Sequence, residues 1–312
     1  MPPAGKSRIG VPATQLAGCR RVVFVGDSIT YSGQYVDDVE MVLRRFAPKS
    51  EFEFLNLGLP SETVSGLSEP GHAGGAFPRP NLHDRLERLL ELTRPNLVIA
   101  CYGMNDGIYY PFDEERFKAF QNGIKLLHER VLKSGAKIIH VTPPVFDSAP
   151  IHNHTLQAGL AAYPQPYEGY DTVLERYSSW LLEQRKRGWS VIDVHSPMKE
   201  TLKKERSKNS NFLFAADGVH LNDAGHWLFA RILLRGIAPG IGGASFPEVP
   251  TSRDREMLRL LHTRNRTLSD AWLTTIGHKR PGMEKGLPLP EAVAKAEALK
   301  KEIEGLSQGF DR

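Results

Sequence analysis

Buried parallel strands read as short unbroken apolar runs, and the helices that cover them repeat apolar positions every three to four residues. From residue 20 to residue 234 the chain alternates between these two patterns. Val22, Val23, Phe24 and Val25 form an apolar, mostly β-branched run that Gly26 stops. Val36, Val39, Val42 or Leu43, and Phe46 then recur at helical spacing and predict a helix over 34–46. A second strand is predicted over 51–57, where charged and apolar residues alternate until Gly58 and Pro60. Helical spacing returns over 82–92, and a third buried strand over 97–102 is broken by Gly103. A helix over 112–133 ends at Ser134 and Gly135, where glycine suits the cap. The fourth strand spans 137–142 and is closed by Pro143 and Pro144. Helix over 170–187, a short strand over 190–194, helix-friendly Lys and Glu over 196–212 and a helix over 224–234 complete the series.

Strand and helix alternating five times predict an α/β fold with a central parallel five-stranded sheet covered on both faces. Two stretches break the rhythm, 68–82 and 147–170, both rich in Gly, Pro and His. Loops of that length are uncommon unless they serve a site or are disordered. The pattern divides the chain into an N-terminal arm (1–20), a main domain (21–240) and a C-terminal extension (241–312), with 236–250 as a linker. Beyond residue 252 the strand pattern stops; helices over 254–275 and 291–304 predict a helical extension packed on the main domain.

With 312 residues, 40% hydrophobic and 24% charged, the chain is long enough for a large core. Its net charge of +4 is spread among 36 acids, so the basic stripe of a nucleic-acid reader is missing. No run of 18 apolar residues predicts a membrane span, and the first six residues carry no apolar signal core. The compartment and the oligomeric state stay open. Cys101 lies in an apolar run and reads as a small buried hydrophobe; with Cys19 it makes at most one disulfide, not a framework. His72, His152 and His154 sit in the long loops without Cys or acid at ligand spacing, so no metal and no cofactor is expected.

Candidate chemistry gathers after the strands. In a parallel sheet the carboxyl ends share one side, where open α/β folds build their sites. Asp27 and Ser28 follow strand one, Gly58 strand two, Asn105 and Asp106 strand three, and Asp217 and His220 strand five. Ser28 alone reads equally as a helix cap. Serine hydrolysis needs a nucleophile, a base, an orienter and donors for an oxyanion. Ser28, His220 and Asp217 supply the first three. The N–H groups of Ser28 and Gly58 and the amide of Asn105 supply the donors. Asp27 and Asp106 read as loop braces. Tyr109 and Tyr110 are placed to wall a substrate pocket. Asp223 and His226 form a competing Asp-x-x-His pair, but His226 falls inside a predicted helix. In the extension, His262, Arg264, Trp272 and the run His278, Lys279, Arg280 read first as a solvated face and second as a lining of the substrate cleft.

The four blocks, GDSIT with Ser28, NLGLPSE with Gly58, GMND with Asn105 and DGVHLN with His220, resemble the SGNH hydrolases, also called GDSL-like esterases and acyl-hydrolases. The resemblance spans about residues 20–235. It implies a three-layer α/β/α sandwich and metal-free ester hydrolysis. It also implies Ser28 as nucleophile, His220 as base, Asp217 as its orienter, and Ser28, Gly58 and Asn105 as the oxyanion hole. The substrate expected is a small acyl ester or an acetylated carbohydrate, since no lipid-binding amphipathic element is evident. A lysophospholipase or thioesterase of the same family is the alternative. A binding module that keeps the fold is disfavoured, because a binder has no need for Ser, His and Asp together.

Overall fold

A computed structural model describes residues 15–16, 18–46, 52–240 and 250–307. Most of the predicted N-terminal arm (1–14) and linker (241–249) therefore lies outside the described residues. Five strands, β1 (Arg21–Gly26), β2 (Glu53–Asn56), β3 (Leu97–Cys101), β4 (Lys137–Val141) and β5 (Ser190–Ile192), form one sheet in the order β2-β1-β3-β4-β5. Every pairing is parallel; Val23 sits between Leu55 and Val98 in register. Burial on both faces explains the unbroken apolar runs, for Val22 to Val25 and Leu97 to Ile99 are at most 1% exposed.

The strand order steps one way from β1 to β2 and the other way from β1 to β3. Right-handed crossovers then place the first connecting helix on one face and the later ones on the other. The connections are α1 (Ser28–Ser32) with α2 (Gln34–Phe46), then α3 (Leu86–Thr93), α4 (Glu114–Lys133) and α5 (Tyr170–Glu183); after the last strand come α6 (His195–Arg206) and α7 (Asp223–Ile237), which returns to pack on α2. The chain thus forms the α/β fold with a parallel sheet between helical layers. The reversal makes the carboxyl ends of β1 and β3 a topological switch point, where such sheets open a crevice.

Two helices depart from the apolar rhythm. The stretch after β1 holds two helices, because Gly33 takes a left-handed φ of 86° and separates α1 from α2. The predicted helix over 82–92 starts as a 3₁₀ turn at Leu82–Asp84 and becomes α-helical only at Leu86. Between them, Arg85 turns inward to the buried carboxylate of Glu62 (Nε to Oε1, 2.7 Å).

The extension contributes α8 (Ser252–Ile276) and α9 (Leu289–Ser307). A capping box of Thr251 and Asp254 starts α8. It packs on α2, whose polar side is consequently buried too. Arg264 donates to both oxygens of Glu40 at 2.7 Å, and Asn265 donates to Asp37 Oδ1 at 2.7 Å. Burial pushes the Glu40 carboxyl up, but Arg264 and Arg44 outweigh it and hold the group at about 2. α8 also reaches the open edge of β2. Leu57 N–H donates inward to Phe24 O, so the carbonyl of Asn56 points outward, and there the Ser269 hydroxyl donates to it at 2.6 Å.

Candidate active site

Asp27 follows β1 and caps α1, its Oδ1 accepting the Ile29 N–H at 2.9 Å. Burial pushes this carboxyl up to about 7, against the Ile29 bond that lowers it. Ser28 is therefore the first residue of α1, where its N–H has no intrahelical acceptor. The loop after Ala215 brings the partner groups. Asp217 Oδ1 accepts the N–H groups of Val219 (3.0 Å) and His220 (2.8 Å), which fixes the backbone of His220. Its other oxygen accepts from His220 Nδ1 at 2.6 Å. With the proton on Nδ1, Nε2 is left as an acceptor, and it stands 2.9 Å from Ser28 Oγ. Partial burial pushes the Asp217 carboxyl up, but the ring and backbone hydrogen bonds from His220 and Val219 outweigh it and hold it below its ordinary value.

Asn105 follows β3 and is 4% exposed. Its Oδ1 accepts from Arg79 Nη1 (3.0 Å) and from the Tyr109 hydroxyl (3.1 Å). Two donors on one oxygen fix the amide's orientation. One Nδ2 proton goes to Glu62 O at 3.2 Å, leaving the second for another acceptor.

Gly58 does not serve as expected. Its N–H donates to Asn56 Oδ1 at 3.0 Å and is consumed within the fold. Glycine is required here for a different reason, since a Cβ would stand 2.5 Å from Tyr31 N. The same loop offers another group that the blocks did not single out. Leu59 to Glu62 close a turn (Glu62 N to Leu59 O, 3.1 Å) with Pro60 second and Ser61 third, at φ 67°. That is the type II pattern, which favours glycine third. Among the described residues the Ser61 N–H has no protein acceptor. The signal in the sequence was Pro followed by a small polar residue. Arg79 was also missed: it lies in the irregular 68–82 stretch, where no period marks an inward-turned side chain. It is 8% exposed and pairs with Glu69 through Nε (2.8 Å) and Nη2 (2.7 Å).

Asp106 braces across loops, accepting the N–H groups of Val64 (2.9 Å) and Ser65 (2.8 Å); burial pushes it up to about 6. His226 is 3% exposed in α7, its Nε2 3.3 Å from Ser32 Oγ, and burial lowers it to about 4. Tyr109 and Tyr110 both line a cleft of about 450 Å³ with Glu69 and Tyr163. Arg264 and Trp272 are buried, Arg264 against Glu40 of α2. The three loop histidines belong to no group of metal-ligating atoms among the described residues. The group that does gather, Asp171, Glu175 and His195, is spanned by Lys199 Nζ at 2.7 Å and 2.6 Å from the two carboxylates.

A parallel sheet with a serine, histidine and aspartate in hydrogen-bonded series at its switch point has the arrangement of a class, the serine hydrolases. Within it, the chain belongs to the GDSL-like Lipase/Acylhydrolase family, whose sequence model matches residues 24–228. No curated protein matches the sequence. Among solved structures, a variant of Axe2, an acetyl xylan esterase from Geobacillus stearothermophilus, superposes with TM-score 0.53 and 20% identity over 74% of this chain and 97% of that one. BT4096, a gut microbial diltiazem-metabolizing enzyme, gives TM-score 0.53 and 21% identity over 70% of this chain. The match spans only 46% of BT4096. At these identities the likeness is one of fold.

Proposed function

We propose that the protein hydrolyses short acyl esters, O-acetyl groups on carbohydrates in particular, through an acyl-enzyme on Ser28. The observation that carries this reading is the series Ser28 Oγ to His220 Nε2 (2.9 Å) and His220 Nδ1 to Asp217 (2.6 Å). His220 takes the Ser28 proton as Oγ attacks the ester carbonyl, and Asp217 stabilises the imidazolium. The carbonyl oxygen, now negative, is met by the Ser28 N–H and the free Nδ2 proton of Asn105, with the Ser61 N–H in place of Gly58. Collapse breaks the C–O bond, and His220 returns the proton to the departing alcohol. Water, deprotonated by His220, then releases the acid from Ser28. Arg79 and Tyr109 act as positioning residues, because they hold the amide of Asn105 so that nitrogen, not oxygen, faces the developing oxyanion.

The substrate class rests on three supports. The cleft that Tyr109 walls sets the rings of Tyr109, Tyr110 and Tyr163 among proline and Ile108 side chains, with Glu69 and Gln165 as its polar groups, a lining that can stack a sugar ring and bond its hydroxyls. Axe2, of similar fold, is an acetyl xylan esterase. The loops that flank the site are polar and Gly/Pro-rich. The deciding experiment pairs serine-directed phosphonate labelling with turnover of aryl esters of graded length and of acetylated glycans. Labelling at Ser28 that Ser28→Ala abolishes is expected, with acetyl esters cleaved best. His220→Ala should abolish turnover while His226→Ala retains it, and Asn105→Ala should cost roughly 10²–10³ in kcat. Absence of labelling would point to a binding module; a preference for long acyl chains would point to a lysophospholipase or thioesterase.

A further inference from the structure

A second cleft, of about 330 Å³, opens between the site loops and the C-terminal extension, lined by Tyr31, Pro60, Asp270, Arg280, Met283 and Glu284. Its inner wall is formed by Tyr31 and Pro60. Tyr31 lies three residues after Ser28 in α1, a spacing that puts both on one side of the helix. Pro60 belongs to the turn that presents Ser61. The outer wall comes from residues 270–284, beyond the 24–228 span that the family model matches, so it is an addition to the shared hydrolase framework.

That wall is held rigidly. Arg88 Nε donates to Ile276 O at 2.8 Å and Lys279 pairs with Asp84 at 3.0 Å, tying the segment's start to α3 and the turn before it. Its return is tied to α8, where Gly286 N donates to Thr274 Oγ1 at 2.8 Å. Gly286 approaches so closely that a Cβ would stand 2.2 Å from the Asp270 backbone. Between these anchors Arg280 lies over the Phe77 ring, 5.1 Å from its centroid, and so touches the loop that carries Arg79.

The lining chemistry is mixed in a particular way. Asp270 and Glu284 are acceptors, and the Tyr31 hydroxyl both donates and accepts. Arg280 Nε is buried without a hydrogen-bond partner among the described residues, a donor whose desolvation is uncompensated. One face of Tyr31 is taken by Arg266, 4.0 Å away. Asp270 pairs with Arg266 at 3.7 Å, so two carboxylates face two guanidiniums and the cleft favours a neutral ligand over an anion, while Met283 and Pro60 alone are too little apolar surface for an acyl chain. Close acceptors, a donor and an aromatic edge together fit the hydroxyls and C–H face of a neutral sugar.

We infer that this cleft is a further subsite on the alcohol side of the substrate, binding a neutral sugar ring adjacent to the acetylated one. The assignment rests on the carbohydrate-ester reading above and deepens it. The test uses the full chain and compares kcat/KM for an acetylated xylo-oligosaccharide with that for an aryl acetate. In Arg280→Ala and in Glu284→Gln the ratio of the two should fall roughly tenfold or more, mainly through KM for the oligosaccharide, the scale of one lost hydrogen bond to a charged group. Arg280→Lys should recover part of the loss, and thermal melting of each variant checks that the fold is kept. A ratio unchanged in both variants, with wild type active on the oligosaccharide, overturns the subsite alone. Wild type that cleaves the aryl acetate but no acetylated sugar overturns the substrate class and the subsite with it.

Discussion

Asp27 sits one residue before the candidate nucleophile, is 3% exposed, and has its carboxyl pushed up to about 7 by burial. An acid raised above its unfolded value of 3.8 holds its proton more tightly when folded. Its contribution therefore favours folding at low pH and is lost as the pH climbs from about 4 toward 7. Asn can accept the same Ile29 N–H without carrying charge. Asp27→Asn should thus gain on the wild type as the pH rises from 5 to 8, by up to about 1.4 kcal/mol per unit crossed below 7. Thermal unfolding at both pH values measures this, and a difference independent of pH would reject the account. At this scale Ser28, His220, Asp217 and Asn105 were legible in the sequence because each lies in a short block after a strand. Arg79 and Ser61 were not: the first acts through a side chain folded inward from an aperiodic loop, the second through its backbone. Gly58 was misread because a glycine needed for close packing and one needed to bare an N–H look the same in sequence.

Among elements, α2 shows what periodicity leaves unsaid. The apolar spacing of Val36, Val39 and Val42 marked its inward side correctly. Asp37, Asp38 and Glu40 stand between those apolar positions, yet all three are at most 3% exposed. They are covered by other parts of the chain, and Asp37 and Glu40 by a helix more than two hundred residues away, which no local period encodes. The buried Glu40–Arg264 pair makes this seam costly to break. Arg264→Met should destabilise the protein by about 3 kcal/mol, the lower end for a buried pair because Arg44 remains. Adding Glu40→Gln to that variant should cost less than Glu40→Gln does in the wild type, since only Arg44 then loses its partner. Urea unfolding of Arg264→Met, Glu40→Gln and the double variant tests the cycle; additive losses would mean the pair is not coupled.

For the whole molecule, the extension does two things at once: it buries the polar side of α2 and supplies the outer wall of the second cleft. A chain ending at residue 240 should therefore lose more than a binding wall. The outward carbonyl of Asn56, which Ser269 occupies at 2.6 Å, would be uncovered together with the edge strand β2. Unprotected edges pair with one another, so the shortened chain should self-associate, as light scattering would detect; a folded monomer would contradict this role for α8. The same contact has a consequence in time. Asn56 and Ser269 are 213 positions apart, so at usual synthesis rates β2 leaves the ribosome about 10–40 s before its cover does. Over that interval the nascent sheet carries an open seam, and slowing translation between the two would lengthen its exposure to neighbouring chains.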